Sequence, residues 1–125
     1  MNDHPNATLM REALEAMNAG QVEAMSAYIA DDVVWHYIGG SEPLRGKDAL
    51  LGAFGPGNTD WEITTETHDV IANDDHVIAL VKATATRGGK TLVYHTAEIA
   101  HVKDGKVTER WAFADDTAAI IEFFA

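Results

Sequence analysis

From residue 61 to residue 114 the sequence alternates apolar and polar side chains between strong turn signals. Gly88 and Gly89 supply the positive φ angles that a two-residue hairpin loop needs, and Asp104-Gly105 is a second hairpin signal. A polar turn, Asn73-Asp74-Asp75, separates the first two runs. This half of the chain therefore predicts a meander of four antiparallel strands at 61–72, 76–86, 91–102 and 106–114.

The first half reads as helices around one strand. Apolar residues recur at helical spacing over 8–18, where Asn6 or Thr8 can cap the helix. Shorter segments follow: helices at 21–29 and 49–54, the latter broken at 55–58, a β-branched and aromatic strand at 33–38, and a last helical turn at 118–124. Because a long meander twists and curls, we predict one α+β domain over 1–125: a cone-shaped curved antiparallel sheet with N-terminal helices packed on its concave face.

Composition excludes several classes of function. The chain has 125 residues, no cysteine and a formal net charge of -11, so thiolate chemistry is excluded and nucleic-acid binding is not expected. No apolar run is long enough to span a bilayer, and the polar start is unlike a secretory leader, so a cytoplasmic protein is expected. No spacing of His, Asp and Glu suits a metal chelate, and we expect neither a metal nor a cofactor.

The two hairpin turns fix the expected strand pairings. Counting from them places Lys82 opposite His95 and Ile99 opposite Arg110. His95 and Arg110 then share a face suited to a pocket wall, together with Ala97, Ile99 and Ala112. The other face carries Glu98, Trp111 and Phe113 and suits a packed core or a homodimer interface through the sheet. A bulge would shift this assignment by one residue and exchange the faces.

Three residues are candidates for proton transfer and substrate orientation. Tyr37 lies two residues after Trp35 on the predicted strand, so both share a face, and its hydroxyl can donate a hydrogen bond. His95 titrates in the range useful at neutral pH, and Arg110 can orient a substrate oxygen. The alternatives are a core position for Tyr37, a structural role for His95, and a surface ion pair of Arg110 with Glu98 or Glu109. The expected apolar walls are Trp35, Phe54, Trp61 and Trp111.

Three stretches carry a family resemblance: 30–35 (ADDVVW), 41–46 (SEPLRG) and 103–111 (KDGKVTERW), the last preceding Asp116. Together they resemble the SnoaL-like, nuclear transport factor 2-like superfamily, which includes polyketide cyclases, ketosteroid isomerases, limonene epoxide hydrolases and scytalone dehydratases. The resemblance covers nearly the whole chain and implies the fold predicted above. Its members range from cofactor-independent enzymes to binding and association domains.

The resemblance does not carry one known catalytic set onto this chain. Ketosteroid isomerases use a helix tyrosine, a strand aspartate and a sheet aspartic acid, which align with Ala13, Tyr37 and the region 97–99. Glu98 replaces the sheet acid only if a shift in register turns it inward. The sheet aspartate of epoxide hydrolases aligns with Ala112, and Tyr37 with His95 is similar to the tyrosine and histidine pattern of scytalone dehydratases.

Two hypotheses follow from the sequence. The first is a cofactor-independent isomerase, cyclase or dehydratase acting on a small apolar, oxygenated molecule. The second is a carrier or dimerisation module of the same fold without catalytic groups. Both predict a pocket for a small apolar molecule.

Overall fold

In the computed structural model, residues 4–40, 42–54 and 60–125 are described, with only the backbone at Val22 and Phe54. The expected helix break at 55–58 and the side chain of Phe54 therefore lie outside the described part. Four helices are described, α1 (Pro5–Asn18), α2 (Val22–Ser26), α3 (Lys47–Phe54) and α4 (Thr117–Phe124). The described strands are β1 (Ile29–Trp35), β2 (Leu44–Arg45), β3 (Glu62–Ala72), β4 (His76–Arg87), β5 (Lys90–Lys103) and β6 (Lys106–Ala114).

The described strands form one curved, open sheet in the order β2-β1-β6-β5-β4-β3. The predicted meander is confirmed as β3 to β6, each strand antiparallel to the next. Its turns have the expected backbone, with positive φ at Gly88 and Gly89 and at Asp104 and Gly105. The long-range pairing of β1 parallel to β6 has no local signal in the sequence.

The helices differ from the predictions mainly at their ends. Helix α1 begins at Pro5, and the side chain of His4 accepts a hydrogen bond from the backbone N–H of Asn6 at 3.1 Å, so neither expected cap is used. Helix α2 ends at Ser26 because the chain enters β1 at Ile29, which is buried and pairs with Val107. Helix α4 confirms the expected C-terminal helix.

The core lies between α1, α2, α3 and the concave inner face of the sheet. Its most deeply buried large side chains are Leu50, Val33 and Val77, which contribute one residue each from α3, β1 and β4. A second cluster under α4 contains Ile120 and Tyr94. We call the side of the sheet toward α1 and α2 the inner face and the opposite side the outer face.

The described residues form no helix of the length and apolarity needed to cross a membrane.

Candidate functional site

A cavity of about 980 Å³ lies between α1, α2 and the inner face of the sheet. Most of its wall is apolar, and methionines from α1 and α2 face small residues on the strands. The small sheet residues leave room that larger side chains would fill, and methionine adapts readily to an irregular wall. The principal apolar wall residues are Met10, Met17, Met25, Val81, Ala83 and Ala100.

The cavity opens between the helices and the start of β3. The residues that line it and are also exposed lie at the end of α1, around α2 and at the beginning of β3: Asn18, Gly20, Gln21, Glu23, Ala24, Glu62 and Thr64. We call this set the rim. Within the rim, Asn18 is held to β3 by hydrogen bonds with the backbone N–H and C=O of Thr65, both at 2.8 Å.

A buried ion pair forms the polar part of the cavity wall. Arg110 Nη2 lies 2.6 Å from Glu98 Oε1, and the two side chains are only 12% and 15% exposed. Arg110 Nη1 donates to the carbonyl oxygen of His36 at 2.8 Å, and its guanidinium carbon lies 4.4 Å from the ring centroid of Trp35. These contacts hold the guanidinium on three sides, so Arg110 is fixed in position.

The Glu98–Arg110 pair has two polar atoms without a hydrogen-bond partner in the described part of the chain. Among the described residues, Glu98 Oε2 accepts no hydrogen bond and Arg110 Nε donates none, although both atoms are buried. A buried polar atom without a partner costs about 1–3 kcal/mol, more when the group is charged. Such groups are concentrated at functional sites, where a bound molecule or a small rearrangement supplies the missing partner.

Tyr94 adds a hydroxyl group to the same wall. Burial raises its pKa above the ordinary value of 10.0, the negative charge of Glu98 raises it further, and the positive charge of Arg110 partly offsets both. The Tyr94 hydroxyl therefore stays protonated at neutral pH and can donate a hydrogen bond or a proton. Thr96 lies between Tyr94 and Glu98 on the same face of β5 and is also buried.

A β-bulge brings Glu98 and Arg110 onto one face. The β4–β5 register is as predicted, with Lys82 opposite His95. The predicted β5–β6 register is wrong, because Val102 pairs with Val107 but His101 pairs with Glu109, which leaves Thr108 as an extra residue. Beyond this point every side chain of β6 changes face relative to β5.

The expected grouping of His95 with Arg110 is therefore wrong. Arg110 lies on the inner face, whereas His95 lies on the outer face, where its Nδ1 is 3.1 Å from Asp115 Oδ2. Hydrogen bonds from the backbone N–H and then the side chain of His95 lower the pKa of Asp115.

The remaining predicted residues divide between the two faces. Trp35 and Trp61 line the cavity, and Ala112 lies opposite Glu98 on the inner face. The expectation that Ala97, Ile99 and Trp111 belong to the cavity wall is wrong, because the same bulge and register place them on the outer face.

Tyr37 does not extend β1 beside Trp35 as expected. The last ladder bond runs from the His36 N–H to the Arg110 carbonyl oxygen, and a turn follows in which the Gly40 N–H bonds to the Tyr37 carbonyl oxygen. Tyr37 is 41% exposed and does not line the cavity.

The outer face carries an aromatic row. The His36 ring stacks on Trp111 with centroids 5.0 Å apart, and Trp111 meets His101 edge to face at 4.9 Å. The His36 Nε2 atom also lies 2.7 Å from Glu109 Oε2. Within the described part of the chain, no three His, Asp or Glu side chains are grouped closely enough to hold a metal ion.

From the sequence, Glu98 was predicted to face the pocket only if the strand register shifted, and Tyr94 was not predicted as a site residue. Both lie on the face that the hairpin count assigned to a core or an interface. The buried, unpaired character of the carboxylate is a tertiary property. The one available signal was a glutamate amid the apolar residues of a central strand, because a buried carboxylate requires a partner.

Comparison with known proteins gives a consistent family assignment. A sequence model described as a SnoaL-like domain matches residues 10–110. The uncharacterized protein Rv0034 of Mycobacterium tuberculosis is 30% identical over 132 residues, covering 100% of both chains.

Solved structures show the same architecture. Bal32a, from a soil-derived mobile gene cassette, is 27% identical with a TM-score of 0.86 over 97% of each chain. An LEH-like epoxide hydrolase of Mycobacterium tuberculosis has a TM-score of 0.80 over 89% of this chain and 83% of its own. At 17% identity the latter likeness concerns the fold alone.

Proposed function

The chain belongs to the SnoaL-like domain family, and from this premise we propose that it binds a small, largely apolar, oxygenated molecule in the cavity and rearranges it by acid–base chemistry. The reaction class is isomerisation, cyclisation or dehydration without a cofactor. The observation that carries the proposal is the Glu98–Arg110 pair, whose charged groups are buried in a mostly apolar wall.

In this proposal Glu98 is the base. A carboxylate oxygen can accept a proton from a substrate atom that lies within hydrogen-bond reach of it. Arg110 holds one carboxylate oxygen and leaves the other without a partner among the described residues. A small rotation of the carboxylate would turn that second oxygen toward a bound molecule.

Tyr94 is the proposed acid. Its hydroxyl remains protonated because burial and the charge of Glu98 raise its pKa. In a dehydration, Glu98 would take a proton from the carbon next to the carbinol carbon while Tyr94 protonates the departing hydroxyl, which leaves as water. In an isomerisation or a cyclisation the same two groups would remove a proton and stabilise the developing oxygen charge.

His95 and Tyr37, the proton-transfer residues favoured by the sequence, are not used in this scheme. Neither lines the cavity, so a direct role for either would need a different site or a rearrangement. Their catalytic roles remain predictions, and the His95→Ala variant described below tests that of His95.

The experiment is a thermal-shift screen with apolar, oxygenated molecules, followed by product analysis of each stabilising compound. A ligand at one hundred times its dissociation constant adds about 2.7 kcal/mol of stability. For a turned-over compound, we expect Glu98→Gln and Tyr94→Phe each to reduce kcat by about 100-fold or more while binding persists. Glu66→Gln, at an exposed position on β3 outside the cavity lining, is the matched control. Unchanged kcat in Glu98→Gln would refute the assignment.

A non-catalytic alternative rests on the outer face. Leu80, Val93 and Phe113 are 37%, 50% and 62% exposed there, next to the aromatic row. We propose that in this alternative the outer face forms a homodimer and the cavity only carries its ligand. Light scattering tests the dimer: Phe113→Asp should yield a monomer, and a wild-type monomer at high concentration would exclude this interface.

A further inference from the structure

The charges around the cavity are unbalanced. Its described lining residues include three glutamates, Glu23, Glu62 and Glu98, and one cation, Arg110. Three negative charges and one positive charge leave a net of -2. The whole chain is also acidic, with twenty Asp and Glu against nine Lys and Arg.

The single cation is already engaged. Arg110 directs Nη2 to Glu98 at 2.6 Å and Nη1 to the His36 carbonyl oxygen at 2.8 Å, and its Nε is buried from solvent. A carboxylate or phosphate ligand would therefore have to displace Glu98 to pair with Arg110. The displaced Glu98 would then be a buried, unpaired charge, which is costly.

The rim adds repulsion along the path of entry. Glu23 and Glu62 are both exposed rim residues, one on α2 and the other at the start of the edge strand β3. Glu62 pairs with Thr86, next to the inner-face pair of Ile63 with Ala85, so its side chain leaves the strand on the outer side. The described rim contains no lysine, arginine or histidine, so nothing there offsets their field. Because their field extends beyond contact distance, an anion approaching the rim is repelled and a cation is attracted.

We infer that the cavity selects uncharged or amine-bearing molecules and rejects carboxylates, sulfates and phosphates of the same skeleton. The inference rests on the proposed function, because it names the ligand class of the same cavity. Two rim carboxylates about 8 Å from a ligand charge in a water-like medium would change its affinity roughly fivefold to tenfold. The effect should shrink in high salt, since the rim is exposed.

Calorimetric titration with three compounds of one carbon skeleton tests this: naphthylethanol, naphthylacetic acid and naphthylethylamine. For the wild type we expect the acid to bind about fivefold to tenfold more weakly than the alcohol, and the amine at least as tightly as the alcohol. The double variant Glu23→Gln/Glu62→Gln should bind the acid more tightly, the amine more weakly and the alcohol unchanged. Only a change in electrostatic field shifts the acid and the amine in opposite directions.

The control variant Glu15→Gln/Asp75→Asn removes the same two charges at exposed positions outside the cavity lining. It should leave all three affinities near the wild-type values. If the acid binds the wild type as tightly as the alcohol, the inference is overturned and the proposed function stands. If neither these three compounds nor any member of the thermal-shift panel binds, the proposed function fails and the inference fails with it.

Discussion

Replacing Arg110 by methionine provides the most direct test of the buried pair. The substitution keeps a long, unbranched side chain against Trp35 but removes the charge beside Glu98. It also removes the donor to the His36 carbonyl oxygen. The carboxylate of Glu98, only 15% exposed, is then left without its cation.

The expected loss of stability follows from this burial. Breaking a buried ion pair by removing one partner costs about 3–5 kcal/mol, because the remaining charge is uncompensated. Since both side chains retain a little exposure, we expect a value near the lower end, about 3 kcal/mol. For a domain of this size that corresponds to a fall in Tm of roughly 12 °C.

The assay is urea unfolding of four proteins: wild type, Arg110→Met, Glu98→Met and the double variant. We expect the double variant to recover most of the loss, because apolar residues of similar volume often replace a buried pair at little cost. Arg45→Met, at an exposed position on β2, is the control and should change stability by less than about 0.5 kcal/mol. Single-variant losses that simply add in the double variant would refute the coupling.

Further predictions concern four other side chains. The pKa of Tyr94 is raised in the folded state, so above pH 10.0 the folded protein keeps a proton that the unfolded chain loses, and stability falls as pH rises. In urea unfolding at alkaline pH, the free energy of unfolding of Tyr94→Phe should fall less steeply with pH than that of the wild type. Identical slopes for the two proteins would contradict this. Because the pKa of Asp115 is lowered, its contribution is lost as pH falls below 3.8, and unfolding of Asp115→Asn should lack that acid-side loss. His95→Ala should leave ligand affinity and kcat unchanged in titration and turnover assays, since His95 lies on the outer face; lost turnover would restore the role predicted from the sequence. Leu50→Ala, at a fully buried position, should lower the free energy of unfolding in urea by about 2–5 kcal/mol. A loss below about 1 kcal/mol would show that the surrounding core closes over the space left by the truncated side chain.

The candidate site was only partly predictable, and the reason is physical. Trp35 and Trp61 were expected as walls and line the cavity, because large aromatic residues in an α+β domain are placed by burial. Arg110 was expected in the site and lies in it, but with Glu98 as partner instead of His95 as neighbour. The bulge at Thr108 depends on how β6 fits between β1 and β5, and no local pattern in the sequence indicates it.

The sequence by itself determined the α+β class, the four-strand meander, the β4–β5 register and the C-terminal helix. These depend on local properties: alternation along a strand, positive φ in two hairpin turns, and helical spacing of apolar residues. Only the tertiary structure decided the parallel pairing of β1 with β6 and the extra residue at Thr108. Because side chains alternate with a period of two, that one residue placed Arg110 beside Glu98 on the inner face and left His95 on the outer face.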